Sequence, residues 1–265
     1  MPEINQNASN ANGTAIHLSL QGKGGVGKSF VASIVAQYLI ARGHRVQCID
    51  TDPVNHTLTQ YKALPVSLLK LLQGSRIDER KFDGLLDTFL KEDATFVVDN
   101  GASTFIAFWD FMLQSQALAT LSEAGIPLYI HTVITGGLGL SDTIDGFRQL
   151  AESTQDRRIV IWFNEYFGPM GWDDRGFLET DIYKLHQSKV VGTVTIPRRN
   201  PETFGRDIEE MISRKQTFGE ALMWEGSYMM VKQRIKIVRD HLFEQLDKLE
   251  FTSSPKPAMS VAEAL

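Results

Sequence analysis

The 265-residue sequence contains one cysteine, Cys48. A single thiol permits no intrachain disulfide, which points to a reducing compartment. Cys48 itself falls in an apolar strand pattern and reads as core rather than nucleophile. Long apolar runs are missing too. None approaches the ~20 residues that span a bilayer, and no basic amphipathic stretch suggests a helix lying on a membrane, so no membrane role is expected. There is no excess of positive charge: the formal net charge is −5. That argues against a globally basic nucleic-acid binder, though it leaves room for a local patch. Residues 1–13 lack both the apolar segment of a secretory signal and the Arg-rich pattern of a transit peptide. They read as a disordered tail, and a cytoplasmic location is expected. Zinc-ligand spacing, internal repeats, a nucleotide-sugar motif and a defensible Ser/His/Asp order are all absent.

What remains is ordinary for a soluble α/β chain: 43% hydrophobic and 22% charged residues. The distinctive stretch is Gly22-Lys23-Gly24-Gly25-Val26-Gly27-Lys28-Ser29, with the spacing G-x-x-x-x-G-K-[ST] of a phosphate-binding loop. Glycines at this spacing let backbone N–H groups converge on phosphate oxygens. Lys28 adds charge for the β- and γ-phosphates, and Ser29 offers a hydroxyl to Mg²⁺. The context fits: Ile16 to Leu20 alternates like a buried strand. Phe30, Val31, Ile34, Val35, Tyr38 and Leu39 then recur at helical spacing before an Arg42-Gly43 stop. Mg·ATP is the expected ligand, held by Gly24, Gly25, Val26, Gly27, Lys28, Ser29 and Phe30. Lys23 is a second lysine at the loop mouth, placed to neutralise charge on a transferred phosphoryl group.

Further along, Val46 to Asp50 reads as a strand that ends in acid and runs into the turn Thr51-Asp52-Pro53-Val54-Asn55. Thr95 to Asp99 is another strand ending in aspartate, the arrangement that holds Mg²⁺ through its water shell. Ser29 and Asp99 are thus candidate Mg²⁺ residues and Lys28 a candidate catalytic cation. Asp50 and Asp52 are two carboxylates just past a strand end, placed either for the nucleotide or for the turn itself. Residues 58–91 have the leucine and phenylalanine spacing of short helices, broken at Gly74. Thr104 to Ala124 reads as one long helix, either a partner surface or a helix packed on a sheet. Leu128–Thr135, Ile159–Asn164 and Val190–Ile196 complete the strands. His131 reads as a core residue. Asn164 can offer donor and acceptor groups to a purine edge. The aromatic loop 166–172 fits a partner site or a lid. In the helix from about Tyr228 to Leu249, Lys232, Lys236 and Arg239 form a stripe that fits a solvated cationic face better than a DNA contact.

Strands alternating with helices predict an α/β fold, a mostly parallel twisted sheet with helices on both faces. Residues 14–250 are expected to form one P-loop domain and 251–265 a flexible tail. The octet with Lys23 resembles the deviant Walker A loop of the MinD/ParA group of P-loop ATPases. That resemblance implies that Lys23 reaches the nucleotide of a partner in an ATP-dependent homodimer. It further implies that Asp50 lies near Mg²⁺ and its waters, that Asp52 positions the attacking water, and that Asn164 and the segment at Pro197 contact adenine. The chain also resembles the TraL family of plasmid conjugal-transfer proteins. Gln21 to Ser29, Cys48 to Asn55, Tyr61 to Leu64, Val98 to Ser103, Ile130 to Gly137, Phe204 to Asp207 and Gln233 to Arg239 carry this likeness. It implies a slow, partner-stimulated ATPase acting with a plasmid-encoded transfer protein or a DNA-bound adaptor. Pro53-Val54-Asn55-His56 departs from the P-Q-G-N of partition ParA proteins at the same place. Two alternatives remain: a ParA-like partition protein that binds DNA when ATP-bound, and a metabolic P-loop enzyme such as an amidoligase or kinase.

Overall fold

Ile16–Ser19 forms β1, with Ile16 and Leu18 turned to one side and His17 and Ser19 to the other, as alternation on a strand requires. The computed structural model describes residues 14–251 except 74, 75, 155, 157, 169, 173, 174 and 250. After the glycine loop comes α1 (Lys28–Ala41), stopped at Gly43 with a φ of +84°. There follow β2 (Val46–Asp50), β3 (Val66–Leu68), the small hairpin β4 (Leu72–Gln73) and β5 (Arg76–Ile77), α2 (Arg80–Lys91) and β6 (Thr95–Asp99). Next are α3 (Phe105–Gln114), α4 (Ala117–Glu123), β7 (Leu128–Thr135), α5 (Leu140–Ser153) and β8 (Ile159–Asn164). The chain continues through the hairpin β9 (Gly171–Trp172) and β10 (Arg175–Gly176), α6 (Asp181–His186), β11 (Val190–Ile196), α7 (Arg206–Ser213), α8 (Phe218–Met223) and α9 (Met229–Asp247).

The main sheet has seven strands in the order β11-β8-β7-β1-β6-β2-β3, and every neighbouring pair is parallel. All-parallel sheets need both faces covered, and two apolar cores do this. One packs α2, α3, α4 and α5 on Leu18, Phe96, Ile130 and Ile161. The other packs α1, α8 and α9 on Val97, Val133, Trp162 and Val194. Cys48 lies in the second core, where burial pushes its thiol up to about 12 and leaves it unreactive.

Three expectations need correction. Residues 58–91 are not a run of helices: Val66–Leu68 is an edge strand with Cys48 opposite Val66 and Asp50 opposite Leu68. Pairing with β2 overrides the helical spacing of Leu64, Leu68, Leu71 and Leu72, and only α2 is helical beyond one short turn. Thr104–Ala124 is two helices, parted where Gln116 takes a φ of +53°. The expected tail begins too early, because Phe251 is buried with its ring edge-on to His17 and Tyr129. Residues 1–13 and 252–265, both expected as tails, and Gly74, the expected break, lie outside the described residues.

Candidate functional site

The site is built where three central strands end level. Register pairs Ser19 with Asp99 across β1 and β6, and Asp50 with Asp99 across β6 and β2. Ligands of parallel α/β sheets bind at such carboxyl ends. The glycine loop rises from β1 into α1, with Gly25 and Gly27 at φ of +75° and +104°, conformations that a side chain disfavours. The N-terminus of α1 carries no side-chain cap, so its first amides are free for an anion. Lys28 is buried, and its Nζ donates to the Lys23 carbonyl at 2.9 Å. Burial lowers its pKa, while Asp99 and Asp52 oppose that shift.

Asp99 is 1% exposed, and neither carboxylate oxygen has a well-formed hydrogen bond among the described residues, although the nearby Ser29 hydroxyl partly steadies the anion. Desolvation first, then the charge of Asp50, pushes Asp99 up to about 7. Two bare oxygens on a buried acid beside a serine hydroxyl suit a hydrated Mg²⁺, whose remaining ligands come from phosphates and water. No group of three or more His, Cys, Asp or Glu that would enclose a metal by itself occurs among the described residues.

Asp50 differs. Its two oxygens accept from the amides of Asp52 and Thr59, each at 3.0 Å. It shapes the loop after β2 and raises Asp99 through its charge. Asp52 Oδ1 accepts from the amides of Val54 and Asn55, and Oδ2 from the Asn55 side chain. Burial alone would raise Asp52, but these bonds and Lys28 hold it below the ordinary carboxylate value. A Cβ on Gly101 would lie 2.8 Å from Asp52 Cγ, so only glycine lets the loop after β6 meet this carboxylate. Asn100 fastens the same contact, with Oδ1 accepting from the hydroxyls of Thr51 and Thr104 at 2.9 Å each.

Lys23 is exposed and pairs with Asp142 on α5 at 2.6 Å. Asn164 lies at the foot of an apolar cavity of about 610 Å³ that also involves Gly25, Gly27, Phe30, Pro197, Arg199 and Phe204. Its Nδ2 donates to the Val26 carbonyl at 2.9 Å and its Oδ1 accepts from the Tyr166 amide. Val26 therefore contributes its backbone, and its side chain is core. Arg199 stands over the Phe204 ring at 5.1 Å. In the aromatic loop, the Tyr166 hydroxyl donates to Glu209, Phe167 is half exposed, and Pro169 lies outside the described residues.

The sequence reading missed Gln21, Gly101 as a steric partner of Asp52, Asp142 and His56. Gln21 is fully buried, its Nε2 donates to the Val133 and Thr143 carbonyls, and its Oε1 occupies the space a Cβ on Gly146 would need. A glycine inside an otherwise regular helix was the available signal for that contact. Five buried side-chain atoms lack a partner among the described residues: Gln21 Oε1, His56 Nδ1, both oxygens of Asp99 and Arg199 Nε. Each belongs to a residue beside the glycine loop, after β2, at the end of β6 or on the cavity wall. No helix among the described residues is long and apolar enough to cross a membrane.

Comparison with known proteins places these features. The family pattern described as the CobQ/CobB/MinD/ParA nucleotide binding domain matches residues 19–223. Protein TraL of Escherichia coli is 44% identical over 233 residues, which is 88% of this chain and 97% of TraL. The crystal structure of a ParA family ATPase from Chlorobium tepidum superposes with a TM-score of 0.53 at 15% identity, covering 86% of this chain and 98% of that one. The septum site-determining protein MinD of Pyrococcus horikoshii, complexed with Mg-ADP, gives 0.53 at 16% identity, covering 92% of this chain and all of that one.

Proposed function

The chain belongs to the CobQ/CobB/MinD/ParA nucleotide-binding family as a TraL-type member, and from that premise we propose that it is an ATP-binding and ATP-hydrolysing dimerisation switch serving plasmid transfer. The observation that carries this reading is the open set of polar atoms around the loop. A buried lysine, a bare helix N-terminus and an acid with two unpaired oxygens meet at one strand end. Together they suit a triphosphate with its magnesium ion.

In this role the loop amides and Lys28 cradle the phosphates, and Ser29 and Asp99 hold the Mg²⁺ shell. The metal supplies charge neutralisation on the phosphoryl oxygens. Asp52 orients the attacking water. Its oxygens are already engaged, but each carboxylate oxygen has a second lone pair to offer. Asn164, Phe30 and Pro197 border the base cavity, and Asn164 can read the base only by exchanging its bond to Val26. Asp50 acts as scaffold rather than ligand.

Two-fold symmetry turns the exposed Lys23 of each subunit toward the other's triphosphate. The γ-phosphate adds charge that ADP lacks, so the contact favours the dimer in the ATP state. The DNA-coating alternative has less support, because Lys236 and Arg239 of the α9 stripe both pair with Asp240. The chain is similar to TraL, and on the resemblance to that family we place the switch in plasmid transfer, with a plasmid-encoded or DNA-bound partner and the cytoplasm as its place of action.

Light scattering on the full chain decides the matter. Wild type should dimerise with Mg·ATP and not with Mg·ADP, Asp52→Ala should accumulate as dimer with ATP, and Lys23→Ala should stay monomeric. A wild-type protein that is monomeric with both nucleotides overturns the switch.

A further inference from the structure

Among the described residues, three that are not glycine have positive φ: His56 at +45°, Gln116 at +53° and Lys215 at +54°. Gln116 and Lys215 flank helix ends, where reversed chains commonly take this conformation. His56 instead stands in the loop between Asp52 and the short turn Leu58–Gln60. Its carbonyl accepts from the Thr59 hydroxyl at 2.7 Å and from Gln60 Nε2 at 3.3 Å, which pins the backbone in that form. The ring is turned inward, and its Nδ1 is buried with no partner among the described residues. The imidazole lies within electrostatic reach of Asp50.

A strained backbone and an unpaired buried nitrogen on the same residue are both unfavourable, and such features persist where a ligand or a moving part makes use of them. The other unpaired buried atoms belong to Gln21, Asp99 and Arg199, at the glycine loop, the acid strand end and the cavity wall. His56 completes this set on the side of the loop after β2. Asp52, four residues earlier, touches Gly101 and feels Lys28, so this loop starts beside the lysine of the glycine loop.

We propose that His56 senses the terminal phosphate: its imidazole Nδ1 donates a hydrogen bond to the γ-phosphate or to a water bound there, a group that ADP does not offer. The inference rests on the ATP reading given above. A neutral imidazole with its proton on Nδ1 can make this bond, so no change of charge is required. His56 is a specificity-determining residue, distinct from Asp52, which orients the water.

Calorimetry on the full chain with Mg²⁺, using ADP and the non-hydrolysable triphosphate AMP-PNP, tests it. His56→Gly keeps the left-handed backbone and removes the ring, and His56→Asn keeps a donor on a residue that tolerates that conformation. Wild type should prefer the triphosphate. His56→Gly should lose about tenfold of that preference at unchanged ADP affinity, the size of one hydrogen bond to a charged group. His56→Asn should recover most of the loss. If His56→Gly binds ADP normally and keeps the wild-type preference, the role of His56 is overturned while the ATP reading stands. A parallel loss for both nucleotides makes His56 a purely structural residue and also overturns it. A wild-type chain that binds neither nucleotide overturns the ATP reading, and His56 with it.

Discussion

The central strands carry two buried polar clusters, one at mid-strand and one at the carboxyl ends. At mid-strand, Trp162 Nε1 donates to His131 Nδ1 at 2.9 Å. Indole is a donor only, so His131 is protonated on Nε2 and donates to His17 Nδ1, also at 2.9 Å. Tyr129 stacks on His17, and Phe251 sits edge-on to it. The bonds of this cluster are made within the protein, and both imidazoles are held neutral by burial, His131 down to about 3 and His17 well below its ordinary value. At the strand ends, Asp99 is as deeply buried but has bare oxygens and is pushed up to about 7. Burial alone therefore does not mark a site. What marks it is burial with bonds left unmade, which an outside group can complete.

The largest effect should come from Lys28→Ala. It removes a buried cation from the phosphate position, and loss of a charged hydrogen-bond donor there should weaken ATP binding by about 100-fold. Calorimetry giving wild-type ATP affinity would show that the open cluster is not a phosphate site. Asp99→Asn comes next. It should abolish the Mg²⁺ dependence of nucleotide binding, yet stabilise the nucleotide-free fold. An ionised Asp99 costs that fold on the order of 4 kcal/mol above pH 7. Urea unfolding at pH 8 should therefore show a higher midpoint for Asp99→Asn, and a lower one would mean the carboxylate is better satisfied than its geometry indicates.

The same contrast gives opposite pH dependences. Asp99 has a raised folded-state pKa, so its contribution to stability is present at low pH and is lost as pH rises through about 7. The two histidines have lowered folded-state pKa values. The unfolded chain takes up their protons first, so stability falls as pH drops below their ordinary value of 6.5. Between pH 7 and pH 5 both imidazoles withdraw stability, and the single carboxyl of Asp99 returns only part of it. The nucleotide-free wild type should lose stability over that interval, and Asp99→Asn should lose it more steeply. His17→Leu combined with His131→Leu should reverse the slope. Denaturant titrations at the two pH values check all three, and parallel slopes in the three proteins would dissolve the distinction between the clusters.

Much of the open cluster was legible because its parts are local. The octet, the acid at the end of β6 and the Asp50-Thr51-Asp52-Pro53 turn are each recognisable within a few residues. The sheet core was legible through short apolar runs. What escaped was set by contacts distant in sequence. β3 has three residues, and its identity lies in pairing with β2 rather than in its own pattern. The break at Gln116 has no glycine or proline to signal it. Gly146 makes room for Gln21, Gly101 for Asp52, and Asp142 meets Lys23 from 119 residues away. The mid-strand relay was half read: His131 was expected in the core, but its bonds to His17 and Trp162 depend on strand order.

The smallest predicted effect lies at the rim of the open cluster, where Lys23 meets Asp142. The pair is short, at 2.6 Å, but its side chains are 44% and 55% exposed. Exposed pairs contribute about 0–1 kcal/mol, so Asp142→Ala should barely change the unfolding midpoint. Its effect should appear in assembly instead. While Asp142 holds Lys23 within its own subunit, forming the cross-subunit contact first requires that bond to break. Removing the carboxylate lifts that cost, so Asp142→Ala should dimerise with ATP at a concentration lower by up to about fivefold, the equivalent of about 1 kcal/mol. Lys23→Ala should show no such gain when Asp142→Ala is added to it, because both changes act on one bond. Light scattering across a protein dilution series measures this directly. A shift that survives in the double variant would place the influence of Asp142 elsewhere than on Lys23.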